Sequence, residues 1–331
     1  FLGKNKNQSL VKQVSRLKDL SFFNKLGTFY SKTQRLRKLA NLVSEQLNLS
    51  KEKIEIAASI CKADLVSDLV GEYPELQGVM GMYFAKAQGF EEDVSLAISE
   101  HYLPIGINSR VPKKPISIAV SLIDKIDTLV GFFGINEKPT SSKDPFALRR
   151  NAIGLLRIII ENKLSLNLKD LIDYSVVTYE EQNIKIINEK TTKEILIFLR
   201  ERFKNLLKDK KIRNDIIEAV DGSPSVQDFL ILYKKCLIIN KNISKDICKN
   251  IIETYKRASN IIQHESKNDK EKILGQPEAF LFKSEEEKNL YEKINEIRQY
   301  FTSARKHESY DETLKVLSAA KPITDIFLMK M

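Results

Sequence analysis

Apolar residues recur every three or four positions along most of the chain, a spacing typical of amphipathic helices. One such pattern within residues 8–49 runs through Leu36, Leu39, Val43 and Leu47. Ser50 follows it and is predicted to cap the next helix. The 331 residues include only 12 Gly and 9 Pro, which disfavours a turn-rich β-sandwich or barrel. The pattern therefore predicts an all-α protein.

The middle of the chain alternates short helical pieces with loops. Gly and Pro interrupt the helical spacing within residues 71–81, and residues 104–115 are predicted to form a loop. Residues 116–133 are apolar and helical in period. After a second loop, Asp144 is predicted to cap a helix that begins at Pro145.

Residues 162–190 separate two predicted helical domains, residues 1–161 and 191–331. Their periodicity is weak, so we interpret them as a linker. A few β-branched residues at 175–178 would also suit a short extended piece. Three helical stripes follow the linker. Their apolar positions are Ile195, Leu199, Phe203 and Leu206; Val226, Phe229, Leu230, Tyr233 and Leu237; and Ile247, Ile251, Tyr255, Ala258 and Ile262.

Positive charge is concentrated in two segments of the chain. The net charge is +10, with +8 in residues 1–50 and +6 in residues 191–260, on either side of a mildly acidic middle. Two basic segments would suit a polyanionic partner touched at two places. The alternative is an ordinary lysine-rich surface.

Motifs for catalysis and metal binding are missing from the sequence. There is no GxxxxGK[ST] loop and no GxGxxG pattern. The histidines and cysteines are scattered, without a CxxC pair: His101, His264, His307, Cys61, Cys236 and Cys248. We therefore predict no catalytic residue and no metal ligand. Reduced cysteines, and the lack of an apolar run of about 18 residues, predict a cytoplasmic protein without a membrane contact.

Seven short stretches occur together in the order found in one known family. They are Lys25–Thr28, Lys62–Leu65, Gly71–Gly78, Glu100–Pro104, Asp124–Leu129, Ser142–Arg150 and Lys256–Ile261. Together they resemble the β subunit of bacterial two-subunit glycyl-tRNA synthetases, over nearly the whole chain. The family's N-terminal modules have no counterpart here, and we expect the C-terminal domain to be truncated after Met331.

The resemblance implies that residues 1–161 form an HD-type helical domain without its metal site. Working HD hydrolases bind metal through a lone His, a His-Asp pair and a later Asp. Here Lys32 takes the place of the lone His, Ala63 and Asp64 replace the pair, and Asp124 matches the last Asp. For residues 191–331 the resemblance implies an anticodon-binding helical bundle.

By resemblance, the chain is the tRNA-binding β subunit of a glycine–tRNA ligase. Its expected partners are the α subunit, in an α2β2 complex, and tRNA(Gly). ATP and Mg are expected on the α subunit, and no cofactor is expected on this chain.

RNA loops are bound by stacking of bases on flat side chains and by cations on phosphates. The candidate RNA-binding residues of this type are Arg200, Arg202, Lys204, Tyr233, Lys234, Lys235, Tyr255, Lys256 and Arg257. For both tyrosines, core packing is the alternative.

Two other functions are compatible with parts of the sequence. One is an HD-type nucleotide phosphohydrolase, against which Ala63 argues because it replaces a metal-binding His. The other is a non-catalytic helical adaptor, which would leave the two basic segments unused.

Overall fold

The structure is a computed structural model that describes residues 9–106, 108–140, 143–186, 188–222, 228–268, 277–307 and 310–330. Helices account for 74% of the described residues. Within the described residues, the only sheet is an antiparallel pair of short strands, Ser21–Phe23 and Gly27–Thr28. The all-α prediction is therefore confirmed. None of the described helices has the length and apolar character needed to cross a bilayer.

The chain divides into two compact units. The first comprises Phe1–Lys211 and Asp221–Tyr233, and the second comprises Ile212–Val220 and Lys234–Met331. The first unit thus extends well past the linker predicted at residues 162–190.

The first unit contains ten helices within its described residues, besides the strands β1 (Ser21–Phe23) and β2 (Gly27–Thr28). They are α1 (Leu10–Arg16), α2 (Phe29–Leu47), α3 (Lys51–Ile60), α4 (Asp68–Glu72), α5 (Val79–Ala87), α6 (Glu92–Glu100), α7 (Pro115–Gly134), α8 (Leu148–Glu161), α9 (Leu168–Glu180) and α10 (Asn188–Asp209). Short 3-10 turns lie at Ala63–Val66 and Pro74–Leu76. Ser50 caps α3 as predicted, because its hydroxyl accepts a hydrogen bond from the Lys53 amide at 3.4 Å.

Helix α7 lies at the centre of the first unit. Helices α2, α6, α8, α9 and α10 all pack against it, and nearly every one of its residues is buried. A helix that is buried on all sides is usually apolar throughout. This one carries Asp124, Lys125 and Asp127, so the fold places charged side chains in the core.

Helix α9 occupies the region predicted to be a linker. Leu171, Val176 and Tyr179 are at most 2% exposed, and α9 packs against α2 and α7. The extended piece predicted at residues 175–178 is wrong, since this stretch is helical. Thr178 fits the helix because its hydroxyl donates to the Ser175 carbonyl, one turn earlier, at 2.7 Å.

Helix α8 begins three residues later than Pro145, where the sequence predicts its start. Its first residue is Leu148, and Ala147 before it has a left-handed backbone with φ of 53°. The Asp144 carboxylate nevertheless accepts hydrogen bonds from the Leu148 amide at 2.8 Å and the Arg149 amide at 3.0 Å. Asp144 therefore satisfies the first amides of the helix from a position outside it.

The second unit is also built from helices. They are α11 (Asn214–Asp221), α12 (Phe229–Asn242), α13 (Asp246–Asn268), α14 (Glu285–His307), α15 (Tyr310–Ser318) and α16 (Ala320–Lys330), with a 3-10 turn at Ala279–Leu281. Helix α11 belongs to this unit up to Val220, and α12 belongs to it from Lys234 onward. Helices α15 and α16 pack against both α13 and α14.

Candidate functional site

Six charged side chains meet around α7 in the core of the first unit. We call them the buried ion cluster: Lys32, Arg35, Lys62, Asp124, Lys125 and Asp127. Each is at most 9% exposed. Charged groups are rarely buried to this extent unless they are paired, so the pairing within the cluster decides what it can do.

Asp127 is the most completely paired member of the buried ion cluster. Arg35 donates to both of its carboxylate oxygens, from Nε at 2.7 Å and from Nη2 at 3.2 Å. Lys32 Nζ donates to it at 2.9 Å, and the Tyr179 hydroxyl donates to its carbonyl oxygen at 3.0 Å. Burial raises the pKa of Asp127, but Arg35 and Lys32 outweigh burial and hold that pKa below its usual value.

Asp124 faces several cations at once. Its Oδ1 lies 3.3 Å from Lys32 Nζ and 3.2 Å from Lys62 Nζ. These are ion-pair distances, although Oδ1 makes no hydrogen bond within the described structure. Burial works to raise the pKa of Asp124, and the surrounding lysines lower it far below its usual value. Asp124 is therefore ionised and already neutralised by protein cations.

Lys125 is the member of the buried ion cluster whose pKa lies closest to neutral pH. Its ammonium donates to Ser121 Oγ at 2.9 Å and to the His101 carbonyl at 3.3 Å. Burial lowers the pKa of Lys125 to about 7, and Lys62 and Lys32 act in the same direction while Asp124 opposes them. Its proton is therefore exchangeable near neutral pH.

The positions matched to HD metal ligands are engaged in protein contacts instead. Asp64 Oδ2 accepts hydrogen bonds from the amides of Gly78 and Gly81, at 2.6 and 3.0 Å, at the N-terminus of α5. A Cβ at Gly81 would lie 3.0 Å from that same oxygen. The Lys32 ammonium lies beside Asp124, at a position where a bound metal would require an anionic or neutral ligand.

No imidazole completes a metal site around these carboxylates. His101 is fully buried, its Nδ1 lies 2.7 Å from the Ile98 carbonyl oxygen, and burial keeps its pKa well below the usual value. In the part of the chain that the structure describes, no three His, Cys, Asp or Glu residues form a group suited to a metal. The residues present therefore do not fit the divalent metal of a working HD domain.

The candidate RNA-binding cations of α10 are mostly committed to partners. Arg200 and Lys204 both pair with Asp221, at 3.0 and 2.8 Å. The Arg202 guanidinium lies 4.6 Å from the centre of the Phe198 ring and is mostly covered. These contacts favour a structural role for all three residues.

The candidates on α12 and α13 differ widely in exposure. Tyr233, Lys234 and Lys235 are partly buried. Tyr255 is 72% exposed, so its prediction as part of an apolar helix face is wrong. That face was inferred from five residues, of which three are half-buried and two are exposed. The half-buried ones are Ile247, Ile251 and Ala258, and Ile262 is exposed at 57%, like Tyr255.

Among the candidates, Tyr255 places an aromatic ring at the surface and Lys256 places an unpaired cation beside it. Lys256 is exposed and makes no ion pair within the described residues. Arg257 is exposed too, but its guanidinium pairs with Asp325 on α16. The nine candidates are also divided between the two units, so they do not form one surface within either unit.

Four members of the buried ion cluster were not predicted as site residues: Arg35, Lys62, Lys125 and Asp127. Lys62, Lys125 and Asp127 do lie within the stretches quoted for the resemblance, whereas Arg35 does not. The available signal was charge inside an apolar helical segment, since Asp124, Lys125 and Asp127 interrupt residues 116–133. Charges at such positions indicate a buried network or a site.

Comparison with known proteins assigns the chain to a family. The sequence model of the family described as "Glycyl-tRNA synthetase beta subunit" matches residues 1–222, about two thirds of the chain. The chain belongs to this family. The family predicted from the seven short stretches is therefore confirmed.

Curated relatives bear the corresponding name. The chain is 37% identical over 319 residues to the glycine–tRNA ligase beta subunit of Rhodospirillum centenum, covering 95% of the chain and 44% of the relative. It is 36% identical over 324 residues to that of Rickettsia canadensis, covering 97% and 45%. For Clostridioides difficile the identity is 35% over 327 residues, covering 98% and 46%. The chain thus spans less than half the length of these relatives.

Proposed function

We propose that this chain acts in the β subunit of a glycine–tRNA ligase and binds tRNA(Gly). The observation that carries the proposal is membership of the family over residues 1–222, together with relatives named as ligase β subunits that match 95–98% of the chain. Its net charge of +10 suits a polyanionic partner.

In this proposal the chain supplies RNA binding, and the α subunit supplies the chemistry. Glycine is joined to tRNA with ATP on the α subunit, where ATP and Mg bind, in an α2β2 complex of the cytoplasm. The lack of a GxxxxGK[ST] loop in the sequence is consistent with this division. The buried ion cluster supports it too, because Lys32 and Lys62 occupy the space beside Asp124.

The second unit is proposed to contact the anticodon loop through α13. Tyr255 offers an exposed ring for stacking, and the adjacent Lys256 offers a free ammonium for a phosphate. Ile252, 40% exposed, adds apolar surface three residues before Tyr255. Of the nine candidates, these two residues therefore carry the RNA-binding proposal.

The alternative of an HD-type phosphohydrolase is not favoured by any contact among the described residues of the first unit. A non-catalytic adaptor that leaves the basic segments unused would be favoured only if the chain bound no tRNA(Gly), with or without the α subunit.

The test is filter binding of tRNA(Gly) to the chain, with and without an α subunit. Tyr255→Ala and Lys256→Ala should each weaken binding, because a stacked base contributes about 1–3 kcal/mol and a phosphate contact adds salt-dependent affinity. Lys315→Ala is the matched control, since Lys315 is an exposed lysine of α15 in the same unit.

A base-reading role has its own signature. Tyr255→Ala should weaken binding of tRNA(Gly) more than binding of a tRNA with an exchanged anticodon, because only base contacts carry sequence information. Unchanged affinity in both variants would refute the proposed contact at α13. No binding of tRNA(Gly), with or without the α subunit, would refute the proposed function.

A further inference from the structure

A cavity opens beside the buried ion cluster, entirely within the first unit. Its volume is about 340 Å³, within the range of about 300–1,000 Å³ that is usual for small-molecule sites. Asp124 and Lys125 contribute to its wall, as do Tyr102, Phe146 and Arg150. The tRNA-binding proposal assigns no role to this cavity.

The cavity wall and the lysines of the buried ion cluster behind it together carry an excess of positive charge. Asp124 is already neutralised by Lys32 and Lys62, which lie behind it at 3.3 and 3.2 Å and are at most 3% exposed. Lys125 and Arg150 are further cations on the wall, and Glu75 is the only other acid among the lining residues. An anionic group would therefore be attracted to the Lys125 side of the cavity.

Lys125 and Arg150 both have hydrogen-bonding capacity left for a ligand. An ammonium has three protons, and Lys125 uses two of them on Ser121 and the His101 carbonyl. Arg150 is exposed and makes no ion pair within the described part of the chain. A guanidinium with free donors suits a phosphate group, which it can grip with two hydrogen bonds.

The remaining lining residues suit a flat organic body. Tyr102 and Phe146 provide aromatic surface, and Gln77 and Asn151 provide amides that can both donate and accept. The Tyr102 ring is held in place by Lys62, whose Nζ lies 4.0 Å from the ring centre. Aromatic surface with nearby amides is the environment in which a nucleobase stacks and forms hydrogen bonds.

We infer that this cavity binds a nucleoside monophosphate, with the phosphate between Lys125 and Arg150 and the base against Tyr102 and Phe146. A triphosphate would bring more negative charge than the two cations on the wall can balance. The inference concerns the first unit alone and does not depend on tRNA binding by the second.

Calorimetric titration of the 331-residue chain with AMP, adenosine and inorganic phosphate tests the inference. AMP should bind saturably, and adenosine and phosphate should each bind at least about tenfold more weakly, since each lacks half of the contacts. Equal affinity for adenosine and AMP would overturn the phosphate assignment, and equal affinity for phosphate and AMP would overturn the base assignment. The absence of saturable AMP binding at millimolar concentration would overturn the site.

Two variants locate the phosphate. Lys125→Met and Arg150→Gln should each weaken AMP binding about tenfold, because each removes a charge-assisted hydrogen bond. Arg37→Gln, at an exposed arginine of α2 outside the cavity, is the control for general loss of charge and should leave affinity unchanged. Arg150 is exposed, so its variant decides the matter even if Lys125→Met fails to fold. Unchanged AMP affinity in Arg150→Gln would overturn the assignment.

The pH dependence of AMP binding distinguishes Lys125 from Arg150. Above pH 7 the phosphate stays dianionic, because its second pKa is about 6. The charged and titratable groups around Lys125 are Asp124, Lys32, Lys62 and His101, with Arg150 and Glu75 on the wall. Affinity should fall from pH 7 to pH 9 as Lys125 loses its proton, and this fall should vanish in Lys125→Met. An equal fall in both proteins would overturn the role of Lys125.

Discussion

Asp127 shows why the buried ion cluster is tolerated in the core. Removing charges from water costs several kcal/mol per ion, and this cost is recovered only when geometry and hydrogen bonding are complete. Asp127 has two oxygens, and Arg35 and Lys32 together place three N–H donors on them at 2.7–3.2 Å. The pairing is therefore complete, and removing one partner would leave uncompensated charge.

The first prediction concerns Asp127→Asn. It should lower the free energy of unfolding by about 3–5 kcal/mol, because the amide leaves Lys32 and Arg35 buried without their counter-charge. Chemical unfolding followed by circular dichroism measures the change. Asp19→Asn, at an exposed position, is the control and should change stability by no more than about 0.5 kcal/mol. A loss below 1 kcal/mol in Asp127→Asn would show that the pairing contributes little.

The second prediction concerns Lys125 and pH. Its pKa falls from 10.5 to about 7 on folding, so between these values the unfolded chain binds a proton that the folded chain does not. The free energy of unfolding should therefore rise with pH from 7 towards 10, by up to about 1.4 kcal/mol per unit from this residue. Lys125→Met should lose that rise. Parallel pH profiles for the two proteins would contradict the lowered pKa.

At this scale the sequence predicted part of the network. The family resemblance matched Lys32 and Asp124 to ligand positions of one metal site. In the structure Lys32 Nζ lies 3.3 Å from Asp124 Oδ1. Pairing of Arg35 with Asp127, 92 positions later, and with Tyr179, 144 positions later, could not be predicted because no local spacing encodes it. Such contacts follow from how α2, α7 and α9 pack.

At the scale of elements, Asp144 shows that a cap can act from outside its helix. The sequence identified the residue, but it placed the helix start at Pro145. The left-handed Ala147 turns the chain so that both carboxylate oxygens reach the amides of Leu148 and Arg149. A positive φ at alanine is not encoded by any residue preference, so the start of α8 could not be predicted from sequence.

The third prediction concerns this cap. Asp144→Ala should reduce the free energy of unfolding by about 1 kcal/mol, because two amides at the start of α8 lose their acceptors. Asp144→Asn keeps one acceptor oxygen, so its free energy of unfolding should fall by a smaller amount. Thermal unfolding of the three proteins measures the order. If both variants have the melting temperature of the wild type but bind tRNA much more weakly, Asp144 contacts tRNA and its assignment as a helix cap is incorrect.

Helix α13 illustrates a different limit at the same scale. Its existence was predicted from apolar spacing, but the exposure of part of its apolar stripe was not. Tyr255 and Ile262 continue the apolar stripe in sequence and are 72% and 57% exposed. Which side is covered depends on α15 and α16, which contribute residues from Tyr310 onward. Exposed apolar residues on this helix are therefore available for binding.

At the scale of the whole molecule, burial and ion pairing reduce the positive charge that the two basic segments expose to solvent. Residues 1–50 carry +8, but Lys32 and Arg35 are among those charges and are at most 2% exposed. Within residues 191–260, Arg200 and Lys204 are paired with Asp221. The positive charge open to a polyanion is thus smaller than the sequence indicates, and only exposed, unpaired residues can test whether both segments contact RNA.

The last prediction addresses that question through the salt dependence of tRNA(Gly) binding. Each lysine or arginine that neutralises a phosphate adds about 0.7–0.9 to the slope of log K against log salt, because counterions are released. Arg16 and Arg37 are exposed and unpaired in the first basic segment, as Lys256 is in the second, within the described residues. If both segments contact the RNA, Arg16→Gln with Arg37→Gln should flatten the slope by about 1.4–1.8, and Lys256→Ala by about 0.7–0.9.

The three substitutions combined should then flatten the slope by the sum of these amounts, because Lys256 belongs to a different unit from Arg16 and Arg37 and shares no partner with them. Filter binding between about 50 and 200 mM salt covers the range in which such slopes are large. Loss of slope in only one variant would assign the contact to that segment alone. A wild-type slope in all three proteins would mean that both segments are ordinary solvated surface, and the contact with tRNA would have to lie elsewhere on the chain.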